Sequence, residues 1–354
     1  MKIAIRTLIS IVVAISALYG CKKDDLSEDL LKPWKAPETE LKADITLGAY
    51  YTLSFKDTNW LNIDPLYLPD LGKYNSADPA VLEQHVTWAL ASGIDFWICS
   101  HNAFNDSIML NVFPSVPGMS DLQVALDLSL STQNNVMDFN DSADIQRVIA
   151  DFKTMKPVFE MPNYLKIDGK PVVVLQSAYN YEPRPLSSDS TDTRVQGMLD
   201  LRAVLKDSTG YDYYFIANYI TFNNPDRYPE YLGAFDALTT NMFTDRKALS
   251  NSLNENIDLA WAHWNDVLNS QDVAFVPGIF PGRNDTLNTR TDVLPRSEAF
   301  FTDQCKLAKH YMNDNARIII INSFNNWNSG TQVEPANTYG ESYLEILSHE
   351  LKVQ

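Results

Sequence analysis

From Asp44 onward, apolar runs alternate with stretches in which apolar residues recur at helical spacing. Eight runs read as strands: Ile45–Thr52, Asp95–Ser100, Leu122–Leu130, Pro171–Ser177, Tyr213–Thr221, Phe235–Met242, Ala274–Phe280 and Arg317–Phe324. Some are apolar throughout, such as Val172-Val173-Val174-Leu175 and Ile318-Ile319-Ile320-Ile321. Strands apolar on both faces belong to parallel sheets covered on both sides. Helical spacing runs over residues 78–92, 143–156, 194–206, 253–269, 296–312 and 340–351. Asp78-Pro79 supplies an N-cap with proline at the first helical position, and Gly93 closes that helix. Residues 101–121 carry no convincing helical pattern. Repeated βα units of this number predict an α/β fold, a single-domain (β/α)8 TIM barrel over residues 44–354.

Loop lengths orient the barrel. Helix-to-strand connections are short (92–94, 207–212, 270–272, 313–316), whereas those leaving strands are long (53–77, 101–121, 178–193, 281–295, 325–339). Long loops therefore gather at the C-terminal ends of the strands, where barrel active sites lie. The residues expected at that mouth are Tyr50, Tyr51, Trp60, His101, Asn102, Gln176, Asn218, Tyr219, Asn241, Arg283, Asn325, Asn326, Trp327 and Asn328. Amides donate and accept hydrogen bonds while aromatic faces stack on C–H surfaces, a set that suits a neutral polyhydroxyl ligand. Two carboxylates facing each other, the usual hydrolytic pair, are missing from it. Asp57, Asp64, Asp70, Asp106, Glu182 and Asp285 sit in loops, none directly at a strand end, and Glu334 is the nearest acid. His85 lies on the apolar stripe of its helix and reads as a packing histidine.

Charge narrows the ligand class. Against 28 Lys and Arg stand 45 Asp and Glu, a net −17, which disfavours nucleic acid and anionic membrane as partners. Five scattered histidines and three cysteines form no metal-ligand spacing, and no phosphate loop or nucleophile elbow occurs, so no cofactor or metal is expected. Cys99 and Cys305 read as buried free thiols.

The N-terminus reads as an address. Lys2 and Arg6 precede an apolar stretch, Leu8–Leu18, too short for the roughly 20 residues that span a bilayer. Leu18-Tyr19-Gly20-Cys21 resembles the lipobox of bacterial lipoproteins, with Tyr19 bulkier than usual. That resemblance implies a signal peptide over 1–20, lipidation of Cys21 and an outer-membrane lipid anchor. Lys22-Lys23-Asp24-Asp25 resembles a surface-export signal of glycan-degrading diderm bacteria, which implies exposure on the cell surface. Half of residues 22–43 are charged, and residues 21–43 read as a lipidated cysteine followed by a flexible tether.

Several motifs resemble glycoside hydrolase family 99. They are Gly48-Ala49-Tyr50-Tyr51, Leu71-Gly72-Lys73-Tyr74, Asp78-Pro79, His85, Trp88-Ala89, Gly93-Ile94-Asp95-Phe96, Asn163-Tyr164 and Gly169-Lys170-Pro171-Val172. The most specific is Ser323-Phe324-Asn325-Asn326-Trp327-Asn328-Ser329-Gly330-Thr331-Gln332-Val333-Glu334-Pro335. The resemblance covers about residues 45–345 and implies a metal-free barrel related to retaining endo-α-mannosidases. In that family the last motif carries two glutamates. One deprotonates the sugar 2-hydroxyl and the other serves as acid and base. Here Asn326 and Ser329 stand at those positions, and the family's Glu-Pro after strand three is replaced in the region of Leu128-Ser129-Leu130.

The leading expectation is thus a surface lipoprotein with a catalytically degenerate barrel that binds a glycan, an α-mannan by resemblance, in a polysaccharide-utilisation system. Two alternatives stand beside it. One is an active glycosidase with relocated acids such as Glu334 or Asp285, and the other a structural partner of an outer-membrane glycan importer.

Overall fold

The computed structural model describes residues 34–41, 43, 45–56, 60, 63–131, 136–184, 191–220, 225–227, 229–240, 252–284 and 293–353. Residues 1–33, which include Cys21 and the expected signal peptide, lie outside the described residues, as do Asp57, Asn241 and Asp285.

The strands form a closed parallel (β/α)8 barrel. Strands 1 to 6 are Thr46–Tyr51, Ile94–Ser100, Gln123–Ser129, Lys170–Gln176, Tyr214–Ile220 and Ala237–Thr240, each paired in parallel with the next. Strand 7 is broken at Pro277 into Ala274–Val276 and Gly278–Ile279. Its first segment pairs with strand 6 and its second with strand 8, Ile318–Ile321, which returns to strand 1 and closes the ring. Proline cannot donate to a ladder, so the break at Pro277 is where the chain changes partners. Gly278 is needed there, because a Cβ would lie 2.3 Å from the Thr240 carbonyl oxygen. Gly48 in strand 1 has a comparable duty inside the barrel, where the Phe96 ring occupies the place of a Cβ at 2.1 Å.

Alternate residues of each strand face two different cores. Phe96, Ile98, Ala125, Val172, Val174, Ile216, Ala237, Val276, Ile318 and Ile320 fill the interior. Leu47, Ala49, Trp97, Cys99, Val124, Leu126, Val173 and Leu175 face outward to the helices. The helical spacing expected from sequence appears as Pro79–Ala91, Ser142–Phe159, Arg194–Thr209, Leu253–Ser270, Glu298–Tyr311 and Ser342–Leu351. Asp78 caps the first of these by accepting from the Ala80 amide at 2.9 Å. Cys99 and Cys305 are buried and unpaired with each other.

Two readings need correction. The segment 101–121 does hold a helix, Ala103–Asn111, with Asn102 as its N-cap through a 2.9 Å bond from the Asn105 amide. It is short, and Asn105 and Asp106 are buried on it beside Ile108 and Met109, which obscures the apolar stripe. Residues 34–41, expected within the tether, also pack on the barrel. Ala36 is buried, Trp34 and Leu41 pack against the main core, and Glu38 pairs with Lys306 at 2.8 Å. Residues 34–41 therefore belong to the barrel's packed outer layer.

Candidate functional site

Continuing the inward-facing rows toward the C-terminal ends of the strands exchanges apolar residues for polar ones. Gly48 is followed by Tyr50, Ile98 by Ser100, Ala125 by Asp127, Val174 by Gln176 and Ile216 by Asn218. With a side-chain period of two, each lies on the inner face one layer above the apolar filling. Tyr50, Ser100, Asp127 and Gln176 form the floor of a cleft of about 360 Å³ at the barrel mouth, with Asn218 held behind Gln176. Thr52, Ser54, Asn102, Asn105, Asn322 and Asn326 add to its wall. That size lies within the ordinary range for small-molecule sites.

Asp127 is the one carboxylate among the described lining residues. It is absent from the acids expected near the mouth, since it sits inside strand 3 rather than after it. The residue is 8% exposed, and Gln176 Nε2 donates to its Oδ2 at 2.7 Å. Burial pushes the Asp127 carboxyl above its ordinary range, against hydrogen bonds from Ser100 and Gln176 and the nearby His101, which pull it down. Asn218 Nδ2 donates to Gln176 Oε1 at 3.0 Å, and Gln176 Nε2 also reaches the Tyr50 hydroxyl at 3.4 Å. Burial, reinforced by Asp127, raises the pKa of that Tyr50 hydroxyl.

Glu334 has a different surrounding. It is fully buried behind the cleft, where Trp327 Nε1 and the Tyr74 hydroxyl donate to its Oε2 at 2.6 and 2.8 Å. Its Oε1 lies 3.1 Å from His85 Nε2, and the other ring nitrogen of His85 lies 2.8 Å from the Tyr51 hydroxyl. A carboxylate beside Nε2 calls for a donor there, so in the neutral ring Nδ1 accepts from Tyr51. His85 is therefore a satisfied packing histidine, and Glu334 is an internal anchor closed off from a ligand in the cleft.

The remaining candidates divide by where their side chains are held. Tyr50, Tyr51, Gln176 and Asn326 line the cleft, and Asn218 stands behind Gln176. Trp60 and Trp327 do not line it, contrary to expectation. Both are buried with Phe55, Tyr74 and Ala336, and each indole N–H has a buried acceptor: the Tyr74 carbonyl at 2.8 Å for Trp60, and Glu334 for Trp327. Asn325 is likewise buried, tying strand 1 to the last loop through the Thr52 amide (2.6 Å) and carbonyl (3.0 Å). His101 sits 2.8 Å from Asp106 beside the cleft rather than in its wall. Tyr219 packs edge-on against Tyr179, Tyr231 and Trp264. Arg283 lies half-buried in a small hairpin with Leu294. Ser329 is half-buried in the last loop, its amide donating to Asn326 Oδ1 at 3.2 Å. Among the described residues, no three His, Cys, Asp or Glu side chains converge as a metal site.

Comparison with known proteins places this barrel. A model of glycosyl hydrolase family 99 matches residues 29–350. The chain belongs to glycosyl hydrolase family 99. A solved structure described as a glycoside hydrolase-like protein superposes with a TM-score of 0.76 at 23% identity, covering 93% of this chain and 99% of the other. The family 99 endo-alpha-mannosidase from Bacteroides thetaiotaomicron superposes with a TM-score of 0.64 at 16% identity, over 87% of this chain and 96% of the other. A glycoprotein endo-alpha-1,2-mannosidase-like protein from Danio rerio is 25% identical over 302 residues, 80% of this chain and 63% of the relative. The chain thus spans less than two thirds of that relative's length. Within this family 99 barrel, Asn326 and Ser329 occupy the loop after strand 8.

Proposed function

We propose that this protein binds a neutral glycan in the barrel mouth and does not hydrolyse it. The observation that carries this reading is Asn326 in the cleft wall, at a position where the family motif has a carboxylate. An amide does not take up the proton of a sugar hydroxyl, and the Ser329 hydroxyl is too weak an acid to protonate a leaving oxygen. Each such group contributes about 10²–10⁴-fold to rate. Glycoside hydrolysis with two carboxylates needs a second acid across the cleft from the first. Asp127 has no such partner among the described lining residues, and Glu334 is engaged by three buried donors.

Family membership points to an α-mannan as the glycan. The N-terminal lipobox and acidic pair support a lipid anchor at Cys21, display at the outer surface, and delivery of captured glycan to an importer in the same membrane. Isothermal titration of the purified protein with α-manno-oligosaccharides tests the binding. Saturable heat that vanishes in Gln176→Ala supports the cleft as the site, since Gln176 spans its floor. No binding to any neutral oligosaccharide would leave the barrel as a structural partner only.

A further inference from the structure

The polar floor of the cleft is directional, and the direction has a consequence for ligand choice. Asn218 Nδ2 donates to Gln176 Oε1. With its carbonyl so engaged, the Gln176 amide presents its NH2 group to the opposite side, toward Asp127 Oδ2 at 2.7 Å and the Tyr50 oxygen at 3.4 Å. Asp127 also accepts from the Ser100 side chain. A carboxylate offers about four lone-pair positions, so two protein donors leave acceptor capacity directed at the cleft that Asp127 lines. Tyr50 receives Gln176 on its oxygen, and its own hydrogen turns about the C–O bond toward the same space.

We propose that Asp127 and Tyr50 form an acceptor–donor pair that reads adjacent hydroxyls of a sugar and turns away ligands carrying a carboxylate, sulfate or phosphate at that point. The proposal rests on the glycan-binding reading above and adds to it a selectivity with named residues. One hydroxyl of a vicinal pair donates to Asp127 while its neighbour accepts from Tyr50. An anionic substituent has no hydrogen to give Asp127. It would also meet the Asp127 charge in a cleft whose described lining residues hold no lysine or arginine. Of the basic groups on segments adjoining the wall, His101 lies 2.8 Å from Asp106 and the Lys56 ammonium sits over the Phe104 ring at 4.5 Å. Like charges about 4 Å apart near a protein surface repel strongly enough to weaken binding roughly a hundredfold or more.

The test is calorimetric titration of the wild-type protein and Asp127→Asn with neutral α-manno-oligosaccharides and with oligosaccharides of equal length ending in a uronic acid. Wild type is expected to bind the neutral set and to bind the uronate set about a hundredfold more weakly. Asp127→Asn should lose about tenfold on neutral ligands, the order expected for a hydrogen bond to a charged group, and the gap between the two sets should close. Tyr50→Phe removes only the hydroxyl and serves where Asp127→Asn folds poorly. It should weaken neutral binding about fivefold to tenfold while the discrimination against uronate persists. Equal affinity of wild type for both sets, or an unchanged gap in a folded Asp127→Asn, overturns the selectivity while leaving the glycan reading intact. Binding of neither set overturns the glycan reading, and the selectivity with it.

Discussion

Replacing Glu334 separates an internal anchor from a catalytic acid. In Glu334→Ala, the Trp327 indole N–H, the Tyr74 hydroxyl and His85 Nε2 all lose their acceptor in a region without solvent access. A buried donor left unsatisfied costs about 1–3 kcal/mol, and removing one partner of a buried charged cluster about 3–5 kcal/mol in total. With a urea slope of about 3 kcal/mol per molar for a chain of this size, the unfolding midpoint should fall by roughly 1–2 M. Glu334→Gln should be milder, about 1–3 kcal/mol. Its amide oxygen still accepts from Trp327 and Tyr74, and its NH2 faces His85, which answers by shifting its proton to Nδ1. Tyr51 then has to redirect its hydroxyl hydrogen, which is the residual cost. Urea unfolding followed by tryptophan fluorescence reads both variants, and titration with glycan reads the cleft. An unshifted midpoint in Glu334→Ala combined with a lost ligand or lost turnover would refute the anchoring role and return Glu334 to the chemistry.

Three further outcomes are expected, two from the same geometry and one from the proposed lipid anchor. Trp327→Ala should destabilise the fold by about 3–5 kcal/mol, because it opens a cavity in the Phe55–Trp60–Tyr74 cluster; unfolding curves decide this, and a stable variant with reduced glycan affinity would place the indole in the site instead. Asp127 has a folded-state pKa above its unfolded value. Its ionised form therefore weighs on the fold above the folded pKa, and that burden lifts as the pH falls through it. Melting temperatures of wild type relative to Asp127→Asn should accordingly rise between neutrality and about pH 4; parallel curves would contradict the assignment. Proteinase added to intact cells should digest the protein, and Cys21→Ala should leave it unlipidated; full protection in intact cells would reject surface display.

Periodicity made the barrel legible, because apolar runs and helical stripes are local signals. The helix Ala103–Asn111 was hidden by its own polar buried residues, Asn105 and Asp106. Asp127 was hidden by the strand boundary. Counting the two-residue period outward from Ala125 places it on the inner face, whereas searching only residues after the strand passes it by. The two tryptophans were misplaced for another reason. A loop position does not reveal which way a side chain turns. Their acceptors lie only 14 and 7 positions away, but the cluster that buries them is closed by the Tyr74–Glu334 bond across 260 positions. Burying an indole N–H beside such an acceptor is a tertiary event with no local signature. Gln176, Tyr50 and Asn326 do line the cleft, whereas Asn325 and Tyr219, read by the same rule, are held in buried bonds and ring packing that the rule does not see.

We propose that this family 99 barrel holds glycan without cutting it. The most direct measurement is mass spectrometric product analysis of α-mannan fragments after prolonged incubation with wild-type protein at concentrations that saturate the cleft. Full occupancy with the fragments recovered intact is expected, and, in Asn326→Glu plus Ser329→Glu, weak cleavage at best, with neither single change active. Robust release of shorter fragments by the wild-type protein would overturn glycan binding without hydrolysis and transfer the chemistry to Asp127 and a second acid.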